Sequence, residues 1–291
     1  MASGVGEATG AISVLNAIPT MIGGAVGIEL WSRAHVEIKG DKCSVPEGRS
    51  MVWGLEYPIE GKILESISRV VAGMLGWRPC FRVTVESEVP IASGLKSSSS
   101  LVVSIIRGIL DAVGAKATGL EVARAGVEAS RMSGITVTGA YDDHLASSCS
   151  GVFITDNRSM EILRVYNPFS KHVVILVPEH ARRRRVLGPS VFKRYSEAYR
   201  IAAGLALSGR WVEAMTLNGI LTSIAAGLGY AALRAAAGLE EVLALGVSGK
   251  GPAVFAVTED PERVLRAWRG LKGKIIVTRI RGGSRGRNCV S

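Results

Sequence analysis

The sequence predicts an α+β protein built as two domains, residues 1–167 and 168–291. Three observations carry that expectation. Helical and strand periodicities both occur along the chain. Asn167 and Pro168 interrupt two strand-like runs, which marks the boundary. After Pro168 the order is strand, helices, strand, strand, helix, strand, the split βαβ order of a ferredoxin-like domain.

In the first unit, Lys62–Leu75 places Ile63, Leu64, Ile67, Val70, Val71 and Met74 at helical spacing. Phe81, Val83 and Val85 alternate with Arg82, Thr84 and Glu86, as in a half-exposed strand that Pro90 ends. Leu101–Leu110 and Leu120–Met132 read as helices, the second closed by Ser133 and Gly134. Gly151–Thr155 and Ile162–Tyr166 read as a hairpin. In the second unit His172–Val177, Val242–Val247, Ala253–Thr258 and Lys274–Ile280 are strand-like. Helical patterns cover Ser190–Leu207, Trp211–Ala226 and Pro261–Leu271, the last with proline in its first turn.

Composition narrows the function classes. With 291 residues, 47% hydrophobic and 21% charged, the chain can bury a sizeable core, which excludes wholesale disorder. Its 35 glycines follow no collagen period and favour tight turns and backbone-lined sites. The net charge of +10 is local: residues 179–194 carry +5, residues 262–291 carry +8, and the remainder sums to −3. That distribution weakens nucleic-acid binding by the whole surface. Cys43, Cys80, Cys149 and Cys289 have long, irregular spacings, so they form no zinc or redox motif and read as reduced. Two stretches lack charge, Ala8–Ile28 and Ala214–Leu233. The first is a poor signal peptide, and the second reads as a buried core helix rather than a membrane span. The chain is therefore expected to be soluble and cytoplasmic.

Chemistry concentrates in three segments. Pro90-Ile91-Ala92-Ser93-Gly94-Leu95-Lys96-Ser97-Ser98-Ser99-Ser100 lies between a strand and an apolar helix. Gly94 frees the backbone to curl, and a helix N-terminus offers unpaired N–H groups and a positive dipole end to an anion. One serine would cap a helix; four, with a glycine and a lysine, point to phosphate. The Walker pattern G-x-x-x-x-G-K-[ST] is absent. Gly246-Val-Ser248-Gly249-Lys250-Gly251-Pro252 fits a hairpin turn or a close approach to a ligand equally well. In Thr138-Gly-Ala-Tyr-Asp142-Asp143-His144, either aspartate alone reads as the N-cap of a helix over His144–Ser148, and His144 as structural. Adjacent carboxylates also suit a general base or a metal ligand.

Pro90–Ser100 resembles the P-x-x-x-G-L-x-S-S-[AS] signature of the GHMP small-molecule kinases. Gly246–Pro252, followed by Ala253-Val-Phe-Ala, is similar to their carboxy-terminal glycine motif. Gly139-Ala-Tyr-Asp142 falls where some members carry a catalytic aspartate. Order and separation agree along nearly the whole chain. Within the superfamily, the segments at 94–100 and 138–143, with Gly10–Ile18, most resemble the archaeal shikimate kinases. The resemblance implies a ribosomal-protein-like amino-terminal domain, a ferredoxin-like carboxy-terminal domain, and transfer of a phosphoryl group from ATP, with Mg²⁺, to shikimate. It implies that Pro90–Ser100, Gly249 and Gly251 bind nucleotide, that Ser98 and Glu128 hold the metal, and that Asp142, with Asp143 as alternate, is the base. Taken alone, Glu128 is a surface helix charge. Lys96 stands where many members have glycine, and an amino-terminal P-G-K motif is missing.

Shikimate is a carboxylate, and arginine is its better partner. Homoserine or a mevalonate-type alcohol is the alternative acceptor. An RNA-binding reading would use Arg182–Arg185 and the tail Arg279–Arg287, but no aromatic platform is interleaved with those charges.

Overall fold

Glu29–Lys39 alternates buried and exposed residues without a break, and this two-residue period makes it half of the longest strand. The computed structural model describes residues 2–40, 46–179, 188–282 and 289. Strand β1 (Ser3–Leu15) pairs antiparallel with β2 (Ile22–Gly40) from Ser3↔Glu37 to Leu15↔Gly24. The other edge of β2 is shared. Its residues 32–40 pair with β5 (Cys80–Ser87), and residues 22–26 pair with β6 (Val152–Asp156). Strands β3 (Glu47–Val52), β4 (Leu55–Pro58) and β7 (Glu161–Tyr166) complete a seven-stranded sheet ordered β4-β3-β5-β2-β6-β7, with β1 on β2. The uncharged run 8–28 thus supplies two strands. Within the strands, residues 8–15 and 23–28 are buried on both faces, so they show no polar face to read.

Helices α1 (Gly61–Leu75), α2 (Ser97–Ala112), α3 (Gly119–Ser133) and α4 (Tyr141–Ser148) belong to the same half of the chain. The predicted stripe of α1 faces inward, with Ile63, Leu64, Ile67, Val70 and Val71 buried. It joins Val83 and Val85 of β5 and Val102, Val103, Ile105 and Ile106 of α2 in one core. Thr118 caps α3 reciprocally with Glu121.

The second sheet is ordered β11-β8-β10-β9, all antiparallel: β8 (His172–Pro178), β9 (Val242–Val247), β10 (Val254–Thr258) and β11 (Gly273–Arg279). This is the expected ferredoxin-like arrangement. The helical pattern over 190–207 divides into α5 (Pro189–Lys193) and α6 (Ser196–Leu207), because the backbone leaves the helix at Tyr195, φ −108° and ψ 24°. Helix α7 (Trp211–Ala226) matches its predicted bounds. Gly227 separates it from α8 (Tyr230–Ala236), and α9 is Pro261–Ala267. No helix among the described residues is long and apolar enough to cross a membrane. A single core joins Ile12 and Val26 of the first sheet to Ile175 and Phe255 of the second, with α6 and α7 between them.

The cysteines correct the sequence reading. Cys149 and Cys289, 140 residues apart, are joined by a disulfide with a Cα–Cα distance of 5.4 Å, and Cys80 is also disulfide-bonded. Separation along the chain carried no information about which cysteines meet in space.

One close packing sets how near α2 lies to β1. A Cβ on Gly6 would stand 2.1 Å from the Ser104 carbonyl oxygen and 2.2 Å from the Gly108 nitrogen. Helix and strand backbones touch there, and only hydrogen fits. Gly6→Ala is expected to cost about 1–3 kcal/mol by overpacking. Calorimetric unfolding of the variant checks this, and an unchanged Tm would show that α2 shifts freely.

Candidate active site

Helix α2 opens at the serine run because Lys96 turns the chain into it with a left-handed backbone, φ 65°. No serine side chain caps the helix. The first N–H of the run to reach a helical partner is that of Ser100, which donates to the Lys96 carbonyl at 3.0 Å. The N–H groups of the preceding turn thus point out of the helix end, where an anion is favoured. The simple serine-cap reading therefore fails here.

Helix α4 opens one turn earlier than expected. Ala140, φ 51°, occupies its N-cap position without a side-chain bond, so neither aspartate is the cap. Asp142 and Asp143 instead lie in the first turn. Asp142 is buried, and its Oδ1 accepts from Asn157 Nδ2 at 2.8 Å. A Cβ on Gly23 would lie 2.6 Å from that carboxyl carbon, so β2 makes room for it. Burial, reinforced by the charge of Asp143, pushes the Asp142 carboxyl up to about 7, against the opposing pull of Lys96. Asp143 forms an ion pair with Lys96, Nζ to Oδ1 2.9 Å. His144 is buried with Nδ1 2.8 Å from the Ala140 carbonyl and Nε2 3.0 Å from Ser130 Oγ. Burial depresses its pKa, so it sits neutral, at the edge of the space that Asp142 and Asp143 line.

The turn at 248–252 joins β9 to β10, as the hairpin reading expects, and its close approach is to the serine loop. Ser248 Oγ donates to the Gly94 carbonyl at 2.8 Å, the Ala253 N–H to the Ser93 carbonyl at 2.9 Å, and the Gly249 N–H to Ser13 Oγ at 3.0 Å. Asn16 anchors the far side, its N–H donating to Asn218 Oδ1 at 2.8 Å.

These segments enclose a cavity of about 700 Å³. Of the expected site residues, Ile91, Ala92, Gly94, Lys96, Ser97, Ser98, Ser99, Asp142, Asp143, Gly249 and Gly251 line it. The others do not, for visible reasons. Leu95 is core, and the Ser93 hydroxyl donates to the Pro90 carbonyl at 2.8 Å. Ser100 Oγ is held by the Ser97 carbonyl at 3.1 Å and Ser32 Oγ at 3.0 Å. Glu128 is exposed on α3 and away from the lining, which fits a surface charge and not a metal ligand. Residues not anticipated from sequence also line the cavity, among them Asn16, Ser130, Thr136 and Thr138. The cations lining it are Lys96 and Lys250, and no arginine does so among the described residues. The Arg182–Arg185 run and residues 283–287 lie outside the described residues.

Comparison with known proteins accords with this geometry. Residues 62–151 match the family model described as GHMP kinases N terminal domain. A protein of Thermococcus kodakarensis named shikimate kinase is 37% identical over 94% of this chain and 99% of its own length. One of the same name from Pyrococcus abyssi is 36% identical over 96% and 99%. Among solved structures, L. major mevalonate kinase in complex with R-mevalonate superposes with a TM-score of 0.70 at 13% identity, covering 98% of this chain and 97% of that one. Homoserine kinase from Cytophaga hutchinsonii gives 0.71 at 16%, covering 97% and 96%. At such identities these two likenesses show the fold alone. The near-full-length relatives show more: the chain belongs to the GHMP kinases, in the group that includes these archaeal shikimate kinases.

Proposed function

We propose that the chain is an ATP-dependent kinase that phosphorylates the 3-hydroxyl of shikimate, yielding shikimate 3-phosphate and ADP. The observation that carries this is one cavity receiving both the N-terminus of α2 and a buried carboxylate with a raised pKa, in a chain 37% identical to a shikimate kinase. The chain divides for this purpose at 167/168, between β7 and β8.

Phosphoryl transfer needs alignment and charge neutralisation more than covalent help from the protein. The N–H groups of Ser97–Ser99 would cradle the phosphates, and the turn carrying Gly249 and Gly251 would cover them. The donor set fits a nucleotide-borne Mg²⁺. No group of three His, Cys, Asp or Glu able to hold a metal occurs among the described residues, and Mg²⁺ in kinases takes few protein ligands beside phosphates and water. Ser98, with an exposed side chain on the lining, would supply one such ligand. The metal, when bound, draws off charge developing on the transferred group. Asp142, as carboxylate, accepts the hydroxyl proton while the acceptor oxygen bonds to phosphorus and the bond from phosphorus to the ADP oxygen breaks. The expected arginine for the substrate carboxylate is not on the described lining, so Lys250 and the threonine hydroxyls are its candidate partners there.

Purified protein with MgATP is expected to release ADP with shikimate and not with homoserine or mevalonate. Equal turnover on either competitor would overturn the acceptor and leave the kinase class standing. RNA affinity in the nanomolar range at physiological salt would instead favour the basic-run reading.

Asp142→Asn keeps an oxygen for Asn157 but no base, so kcat should fall by about 10²–10⁴-fold. The sign of its pH dependence follows from the raised pKa. From the ordinary carboxylate range up to about 7, the folded state holds a proton the unfolded chain has lost. Below that range both states are protonated and the contribution of Asp142 to stability is fully present; it is lost as the pH rises to about 7. The asparagine variant, which ionises nowhere in that range, should therefore be no less stable than the parent at pH 8. For the parent, kcat/KM should climb through pH 5–7 and level off above. A flat profile, or full activity in the variant, would remove Asp142 as the base.

A further inference from the structure

Lys96 occupies a position that suits glycine better than lysine. Its backbone is left-handed, φ 65°, a region that a Cβ disfavours and glycine enters freely. As N-cap of α2 it contributes no side-chain bond. The helix would therefore start as well or better without this side chain. What the side chain does is reach across to α4, where its ammonium lies 2.9 Å from Asp143 Oδ1. The side chains of Lys96 and Asp143 are only 10% and 16% exposed, so water screens the pair weakly. The ammonium also approaches the third wall of the cavity: a Cβ on Gly249 would lie 3.3 Å from it.

The carboxylate that engages this ammonium is Asp143. The ammonium opposes the Asp143 charge felt by Asp142 without removing it. It also ties the helix start that offers N–H groups to the helix start that carries the base. Phosphoryl transfer depends on the relation between those two ends, because acceptor and phosphorus must be in line.

We propose that Lys96 is a positioning residue: acting through Asp143, it fixes the first turn of α4 against the first turn of α2, so that Asp142 meets the acceptor hydroxyl in line with the phosphate. This rests on the kinase reading above.

Lys96→Gly tests it cleanly, because glycine relieves the left-handed backbone while removing the ammonium. The expected result is a Tm equal to or above that of the parent, a KM for ATP changed by less than about threefold, and a kcat lowered by about 10²-fold, the scale of a small misplacement. Combined with Asp143→Asn, the losses should not multiply: the double variant should lie within about threefold of the worse single one. A KM for ATP raised tenfold or more with kcat retained would make Lys96 a phosphate ligand and overturn the proposal. So would an unchanged kcat with any change in Tm, or losses that multiply in the double variant. Parent turnover of shikimate in the same assay tests the acceptor separately. If only homoserine or mevalonate is turned over, the cycle is run on that acceptor, with the same outcomes deciding. If no acceptor is turned over, the kinase reading and this proposal fall together.

Discussion

The contact between Gly94 and Ser248 is the constraint on which the site depends. A Cβ on Gly94 would stand 2.2 Å from the Ser248 carbonyl oxygen, so the two loops touch backbone to backbone. Gly94 belongs to the loop that opens α2, and Ser248 to the hairpin between the edge strand β9 and β10 of the second sheet. The Ser248 hydroxyl serves both sides, donating to Gly94 and accepting from the Ser13 N–H at 3.2 Å. The loops therefore act as one wall, although 154 residues separate them. Behind that wall, β1 runs from Gly6, where it fixes the height of α2, to Ser13, where it holds the turn. One strand thus packs against the body of the helix and holds the turn that covers its start.

Much of this was legible in the sequence, and the reasons differ by element. The helix α1, the strand β5 and the helix α7 announce themselves because each has one wet face and one dry face, or a length that only a helix accommodates. Residues 8–15 and 23–28 do not, since a strand buried on both faces has no alternation to show. The second half of β2 did carry a signal: Leu30, Ser32, Ala34, Val36 and Ile38 alternate with polar or aromatic neighbours. The small residues at 32 and 34 dilute it. Tyr195 breaks one apolar run into two helices without a proline or glycine to mark the place.

The site divides along the same line. Local pattern pointed to the serine loop, whereas the acidic pair read locally as a helix cap and took a catalytic role only through the resemblance. It could not supply Asn157, Gly23 or Asn16, which reach the site only through pairing of β2 with β6 and contact between the sheets. Glu128 shows the converse error. A resemblance placed it beside the metal, but the helix turns it outward, and Ser130 faces the cavity from the same helix.

The electrostatics of the acidic pair follow from the same architecture. A carboxylate in the first turn of a helix is ordinarily stabilised by the dipole and by free N–H groups, which lowers its pKa. Asp142 goes the other way because it is buried under β2, beside a second carboxylate, with Asn157 as its donor. Desolvation outweighs the helix end, as expected where water is excluded and the like charge is adjacent. Burying one and pairing the other with Lys96 separates their surroundings: the Asp142 carboxyl can exchange a proton near pH 7, while Asp143 is engaged by an ammonium. The motif provides two identical side chains; the burial beneath β2 and the reach of one lysine from α2 give them different work.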